Sequence, residues 1–525
     1  MKETKDAKEP ERKEPEGVRK GFSEEDEAIL RNHVSSLDKD IYVIYNLPPE
    51  VVAVLFGYVS RSPAGFRENL LKLIKSRDLD MGDLVRVYSE KGIDYAEAKE
   101  KAKKFHERWV VGYGHSSVAE HAVASLAVEN VSILATKVIE DSRLASYTEK
   151  STRYQVFDRN KYYKPAALMD SDLRDLYVKT CSGLFDFYLD TVPVLVEHMK
   201  KTHPKPLGME EKAYESVTKA RACDIARFVL PAATLTNLAI TINARSLEHM
   251  ISKLMSVPIG EMNKIGSEMK GEVLKMVPTL VKYAERNHYI YDTDFWMDST
   301  LKEEWGEAKS PSAAEGTAIT LVDYDKDAEN KIVASIIYKY TQKPFSRIIE
   351  KVRKMDADEK ERIFSEFMKR KGEHDQPMRE LEHAYYTFDV LVDYGAFRDI
   401  QRHRMSTQTN QALTTAHGYE IPREITHAGL EKKFRQAMEN ARNAFEAIYE
   451  RFPAEAQYVV PLAYRKRLLF TMNLRELYHF IRVRSGREGH ISYRKIAWNM
   501  FDEVKRVHPM LVKYVQIDRT EGPAR

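Results

Sequence analysis

The chain has 525 residues, too many for one hydrophobic core, so two domains of about 200–250 residues are expected. Lys plus Arg number 83 against 80 Asp plus Glu, a formal charge of +3, which excludes a global electrostatic footprint for nucleic acid or an anionic membrane and leaves room only for local anion sites. Two cysteines, Cys181 and Cys223, match no zinc spacing and no disulfide framework, and no run of 18 apolar residues or signal-like segment occurs, so a reduced, cytoplasmic, membrane-free protein is expected.

In chain order, residues 1–22 are charged, Pro-containing and almost devoid of large apolar groups, which predicts a disordered tail. A first domain is expected over 23–297. Within it Glu120-His121 opens an alternating, β-rich stretch that runs to Ser132, a plausible N-cap for a short helix. "LTNLAITIN" reads as a strand feeding a helix that begins near Asn243, with Arg245 in its first turn. Residues 298–316 turn small and polar and read as a linker. In the second domain, 317–525, Glu382-His383 again opens a β-rich stretch, ending at Asp393 as N-cap. "IQRHRMSTQTN" then sets Arg402, His403 and Arg404 side by side after an apolar run, and such mutually repelling groups call for an anion. "RLLFTMN" is a strand running into a helix near Asn473, with Arg475 beside the positive helix end.

The two sides of the linker repeat each other. "ARFVLPAATLTNLAITINARSLEHM" (226–250) lies over "AQYVVPLAYRKRLLFTMNLRELYHF" (456–480) without a gap, so that Pro231 and Pro461, Asn243 and Asn473, Arg245 and Arg475, His249 and His479 stand 230 positions apart. "EHAVASLAVENV" (120–131) lies over "EHAYYTFDVLVD" (382–393) at an offset of 262. The chain is therefore a tandem duplication. Taken singly, Arg245 and Arg475 read more readily as salt-bridge partners than as ligand contacts, and His121 and His383 as structural histidines. No H-E-x-x-H or tight carboxylate cluster suggests a metal.

Jointly, these segments resemble the flavin-dependent thymidylate synthases. In the first copy the resemblance rests on "GHSSVAEH" (114–121), "DSRLASYTEKSTRY" (141–154), "ARFVLP" and "NARSL"; in the second on "EH", "RHRMST" and "NLREL". It implies an α+β fold, two homologous, helix-rich synthase-like domains each with a mixed or antiparallel sheet. It also implies reductive one-carbon transfer to C5 of dUMP with FAD, methylene-tetrahydrofolate and NADPH.

Each copy departs from the family pattern differently. Asp141-Ser142-Arg143 stands for Arg-His-Arg in the first copy, and "NQALTT" (410–415) for Glu-x-Ser-x-Arg in the second. Leu254 stands opposite Arg484, and Gln457 opposite Arg227. The family builds its nucleotide site between subunits, so the resemblance implies one composite site. Glu149, Ser151, Arg153 and Arg227 of the first copy would hold the nucleotide, and Arg484 of the second would stabilise charge growing on the pyrimidine. Arg402, His403, Arg404, Asn473, Arg475 and His479, with His115 and Ser117 of the first copy, would face FAD and folate. Asp399 occupies the place of a base-reading glutamine. A carboxylate only accepts hydrogen bonds, so the same chemistry on an amino-bearing pyrimidine such as dCMP is an alternative; a non-catalytic flavin- or nucleotide-binding scaffold is another. A homodimer of double chains would reproduce the family's four-domain assembly.

Overall fold

The computed structural model describes residues 22–59, 62–75, 116–277, 280–305 and 319–520. The expected tail, apart from Phe22, and His115 lie outside these residues.

The chain divides into two compact units, residues 1–124 with 272–282 and residues 125–271 with 283–525. In the first, Ser23 caps the helix Glu24–Arg31 by accepting from Asp26 N at 3.2 Å. Leu30, Val51, Leu55, Leu70 and Leu73 form its core. His121 packs edge-on against Phe56, with ring centroids 4.8 Å apart.

The larger unit holds two antiparallel sheets. One has the order β1-β3-β2, from β1 (Val123–Ser132), β2 (Ala145–Glu149) and β3 (Leu235–Asn243). The other has the order β4-β5-β7-β6, from β4 (Ile319–Tyr324), β5 (Tyr385–Asp393), β6 (Ser406–Asn410) and β7 (Arg465–Asn473). Alternation sets which faces are buried: Leu468, Phe470 and Met472 of β7 point into the core while Leu469 between them is 45% exposed.

The duplication is visible in hydrogen bonds. Ser132 and Asp393 cap the short helices Ile133–Ile139 and Tyr394–Ile400 by accepting from Ala135 N and Ala396 N, and Asn243 and Asn473 cap Ala244–Ser256 and Leu474–Ser485 from Ser246 N and Glu476 N. Ala145 pairs with Ile242 as Ser406 pairs with Met472. This register and the N-caps place Asp141, Ser142 and Arg143 opposite Arg402, His403 and Arg404. The one residue by which the offset of 262 exceeds this register lies in β1, ten residues long against nine in β5, where Asn130 takes a positive φ of 55°.

The copies join back to back at Pro231 and Pro461, which form an antiparallel bridge. Ala232 N donates to Val460 O and Leu462 N to Leu230 O, each at 2.9 Å, and Ala233 N and Ala463 N reach Tyr458 O and Phe228 O at 2.9 Å, a pseudo-twofold pattern. Residues 125–271 of the first copy and the second copy thus belong to one compact unit. Residues 298–305 also continue the helix His288–Trp305, because Leu301, Lys302, Glu303 and Glu304 are good helix formers despite their polarity; residues 306–316 lie outside the described ones. Among the described residues no helix is long and apolar enough to cross a membrane.

Candidate functional site

The Pro231–Pro461 ladder brings the helix Tyr394–Ile400 of the second copy against β2 of the first. Arg398 extends from that helix and donates to Glu149 Oε1 at 2.7 Å and to the Thr152 hydroxyl at 3.3 Å. Glu149 also meets Lys137 Nζ at 3.3 Å and is 1% exposed. Burial alone would raise its pKa, but Arg398 and Lys137 pull it down to about 2. Gln401 Nε2 donates to Lys137 O at 2.7 Å, completing a strut between the copies.

Thr152 leads onward, since its hydroxyl also accepts from Arg227 Nη1 at 3.3 Å. Asp224, one helical turn before Arg227, lies 3.1 Å from Arg227 Nη2 and 3.2 Å from Arg153 Nε. Arg153 Nη2 donates to the carbonyl of Glu488 in the second copy at 2.7 Å. Burial opposes the charge of Arg153, yet Asp224, Tyr493, Tyr154 and Asp399 raise its pKa.

From the other side come Asp399 and Arg484. The Asp399 carboxylate stands 3.8 Å from Arg402 Nη1 and 3.7 Å from Arg484 Nη1. Despite burial, Arg227, Arg402, Arg484 and Arg398 hold it below the usual carboxylate range, so it feels cations from both copies. The Arg484 guanidinium lies 5.5 Å from the centroid of Tyr493, and its Nε donates to His403 Nε2 at 2.9 Å. His403 Nδ1 in turn meets Glu476 Oε1 at 2.8 Å. Burial, and then Arg484 and His479, keep the His403 pKa well below 6.5, so the ring is neutral.

Five arginines, Arg153, Arg227, Arg398, Arg402 and Arg484, thus surround three carboxylates, Glu149, Asp224 and Asp399. Arg227 Nε and Arg398 Nε are buried without a hydrogen-bond partner among the described residues. Buried guanidinium donors left over beside surplus positive charge fit a bound anion such as a phosphate. Arg404 lines an open cavity of about 130 Å³ with Glu140, Asp141, Arg143, Gln401, Ser406, Thr407 and Gln408. Its Nη1 is buried without a hydrogen-bond partner among the described residues, and its guanidinium lies 5.6 Å from the centroid of Tyr147 in the first copy.

The structure therefore brings together Arg153, Arg227, Asp399, Arg402 and Arg484. Other expected ligands are placed elsewhere. Glu149 is consumed by the strut. Arg475 donates to Pro377 O at 2.7 Å and Glu382 at 2.8 Å, the salt-bridge role, because the segment 376–382 crosses its helix end and supplies the acceptors. Asn473 spends its side chain as the N-cap, 2.9 Å from Glu476 N. His403 has both ring nitrogens occupied by protein groups, and His479 packs beside it with centroids 5.5 Å apart. Ser151 accepts from Arg153 N at 3.2 Å. Ser117 lies in the 3-10 helix Ser116–His121 of the smaller unit.

Sequence reasoning missed Asp224, Thr152, Arg398, Glu476 and Tyr493. Arg398 left a signal as a lone charge in the apolar run "YGAFRDI". Among the described residues, donor atoms of His403, Glu476 and His479 lie within 4.8 Å of one another. They do not suit a cation, because the Arg484 N–H against Nε2 requires the His403 proton on Nδ1, which then donates to Glu476 and cannot ligate. Neither buried cysteine is a nucleophile, since burial pushes Cys181 up to about 12 and raises Cys223.

Comparison with known proteins decides the family. The family described as thymidylate synthase complementing protein matches twice, over residues 72–279 and 320–510. The chain belongs to that family. It is also 37% identical over 517 residues to a UPF0159 protein of Chlamydia muridarum, covering 95% of this chain and 96% of the relative. A flavin-dependent thymidylate synthase of Sulfurisphaera tokodaii is 35% identical over 143 residues, 26% of this chain and 56% of that protein. Among solved structures, a flavin-dependent thymidylate synthase of Helicobacter pylori complexed with FAD and dUMP aligns with 38% of this chain and 99% of its own, at 16% identity and a TM-score of 0.29. The family membership accounts for the repeat, because each match covers one copy.

Proposed function

We propose that this family member is a flavin-dependent enzyme that transfers a one-carbon unit reductively to C5 of dUMP, with methylene-tetrahydrofolate and NADPH as co-substrates. The observation that carries the reading is the meeting of Arg153 and Arg227 of one copy with Arg484 and Asp399 of the other, in a site with surplus positive charge and orphan guanidinium donors. Arg153 and Arg227 bind the nucleotide phosphate through charge-assisted hydrogen bonds. Arg484, held at the base, stabilises negative charge as the pyrimidine is polarised toward C5. Arg404, with a nitrogen unpartnered among the described residues at an open polar cavity, together with Gln401, Ser406 and exposed Arg402, suits an anionic cofactor such as FAD. When bound, FAD supplies the hydride that the methylation requires, so no cysteine nucleophile is needed. Two chains associating as a homodimer supply four copies.

The test begins with colour. Purified protein, or protein reconstituted with FAD, absorbs near ~450 nm, and dUMP accelerates its oxidation of NADPH. A colourless protein that cannot be reconstituted refutes the reading, and a yellow one indifferent to every pyrimidine nucleotide identifies a scaffold. Arg404→Ala is expected to lose flavin.

One observation favours dCMP as a second reading. Asp399 Oδ1 lies beyond hydrogen-bond reach of both its arginine neighbours, so its acceptor capacity is open to an amino group. Asp399→Gln is then expected to shift selectivity toward the uracil nucleotide by roughly 1–3 kcal/mol, measured as the ratio of kcat/KM for dUMP and dCMP. An unchanged ratio removes Asp399 from base reading.

A further inference from the structure

Arg484 is a long, flexible side chain, and the proposed reaction needs its guanidinium in one orientation. The structure supplies a chain of contacts that fixes it. Glu476 Oε1 meets His403 Nδ1 at 2.8 Å, and His403 Nε2 accepts from Arg484 Nε at 2.9 Å. Since an arginine Nε can only donate, Nε2 must be the unprotonated nitrogen and Nδ1 the protonated one, donating to Glu476. Asn473 anchors the far end, accepting from Glu476 N at 2.9 Å. His403 is 4% exposed and wedged against Phe480, with centroids 4.7 Å apart, so the imidazole cannot swing away. With Nε tied back, Arg484 presents its terminal nitrogens toward Asp399 and the Tyr493 ring.

The duplication gives a second, independent indication. In the first copy the register puts Ser246 opposite Glu476, Ser142 opposite His403 and Leu254 opposite Arg484. All three members are absent together where the arginine is absent.

We infer that His403 is a positioning residue, which, oriented by Glu476, holds the Arg484 guanidinium against the pyrimidine. This rests on the proposed nucleotide chemistry and replaces the flavin contact expected from the Arg-His-Arg sequence. The energetic logic is preorganisation: misplacing a reacting group by about 1 Å costs on the order of 100-fold in rate.

Two substitutions separate the roles. A glutamine amide can place its oxygen near the Nε2 position, whereas asparagine reaches only the Nδ1 position. His403→Gln is therefore expected to retain kcat within about 10-fold and His403→Asn to lose about 100-fold, with KM for the nucleotide and flavin content little changed in both. Equal losses in the two variants, or loss of flavin in both, overturn the inference while wild-type turnover upholds the proposed function. Absence of wild-type turnover on any pyrimidine nucleotide refutes the proposed function instead. The inference is then decided by 15N NMR of histidine-labelled full-length protein, assigned with His403→Gln: a neutral, Nδ1-protonated His403 supports it, and an imidazolium or an Nε2-protonated ring overturns it.

Discussion

Glu149→Gln is expected to lower the unfolding free energy by about 3–5 kcal/mol, the range for removing one partner of a buried ion pair. The substitution keeps shape and volume but leaves Arg398 in the strut without its counter-charge, while Lys137 retains its ion pair with Glu140. The pH dependence has a definite sign. Because the folded-state pKa is depressed to about 2 from an ordinary 4.5, the stabilisation is complete above pH 4.5 and is lost as pH falls toward 2. Wild type and Glu149→Gln should thus converge in stability across that window. The exposed i,i+4 pair Arg435–Glu431 is the control, and Arg435→Ala should cost no more than about 0.5 kcal/mol. Urea denaturation of the full chain measures both, and an equal, small loss from the two would mean that the strut does not join the copies energetically.

The second large effect concerns the asymmetry of the composite site. Arg153→Ala removes a charge-assisted phosphate contact and is expected to weaken nucleotide binding by roughly 1.5–3 kcal/mol, about 10- to 100-fold, while the protein stays yellow. Its counterpart control is Gln457→Ala, at the position opposite Arg227. Gln457 Oε1 accepts from Leu413 N at 3.3 Å and its Nε2 donates to Ala454 O at 3.2 Å, local contacts within the second copy. Nucleotide affinity should be unchanged there. Calorimetric titration with dUMP distinguishes the cases, and equal damage from both would mean that each copy carries its own working site.

What the sequence disclosed and what it hid differ by range. Ser132 and Asp393 were legible as N-caps, and Asn243 and Asn473 as the places where helices begin, because a cap is decided within four residues. The repeat was legible because 25 residues align without a gap, and it carried the pairing of Arg153 and Arg227 with Arg484. The strut was not legible, since Arg398 and Glu149 are 249 residues apart and each alone is an ordinary charge. The helical state of 298–305 was not legible because composition was weighed over helix propensity there. The contact of His403 Nε2 with Arg484 was not legible, because a motif carries residue types but no atom-level orientation.

The two N-caps of the short central helices differ in one further respect. In the first copy Ser132 donates its hydroxyl to Glu261 Oε2 at 2.6 Å, and Tyr458 of the second copy donates to the same carboxylate oxygen at 2.7 Å. In the second copy the polarity is reversed: Ser492 donates to Asp393, and Phe228 stands where a tyrosine would be, 4.8 Å from the His490 ring. Glu261 also accepts from Ser132 N at 2.8 Å, so the first copy satisfies this carboxylate in part by itself. At the other end the acid is Asp393, which receives Ser492 and Ala396 N from its own copy. The joint between the duplicated halves is thus symmetric in its backbone and asymmetric in its side-chain chemistry.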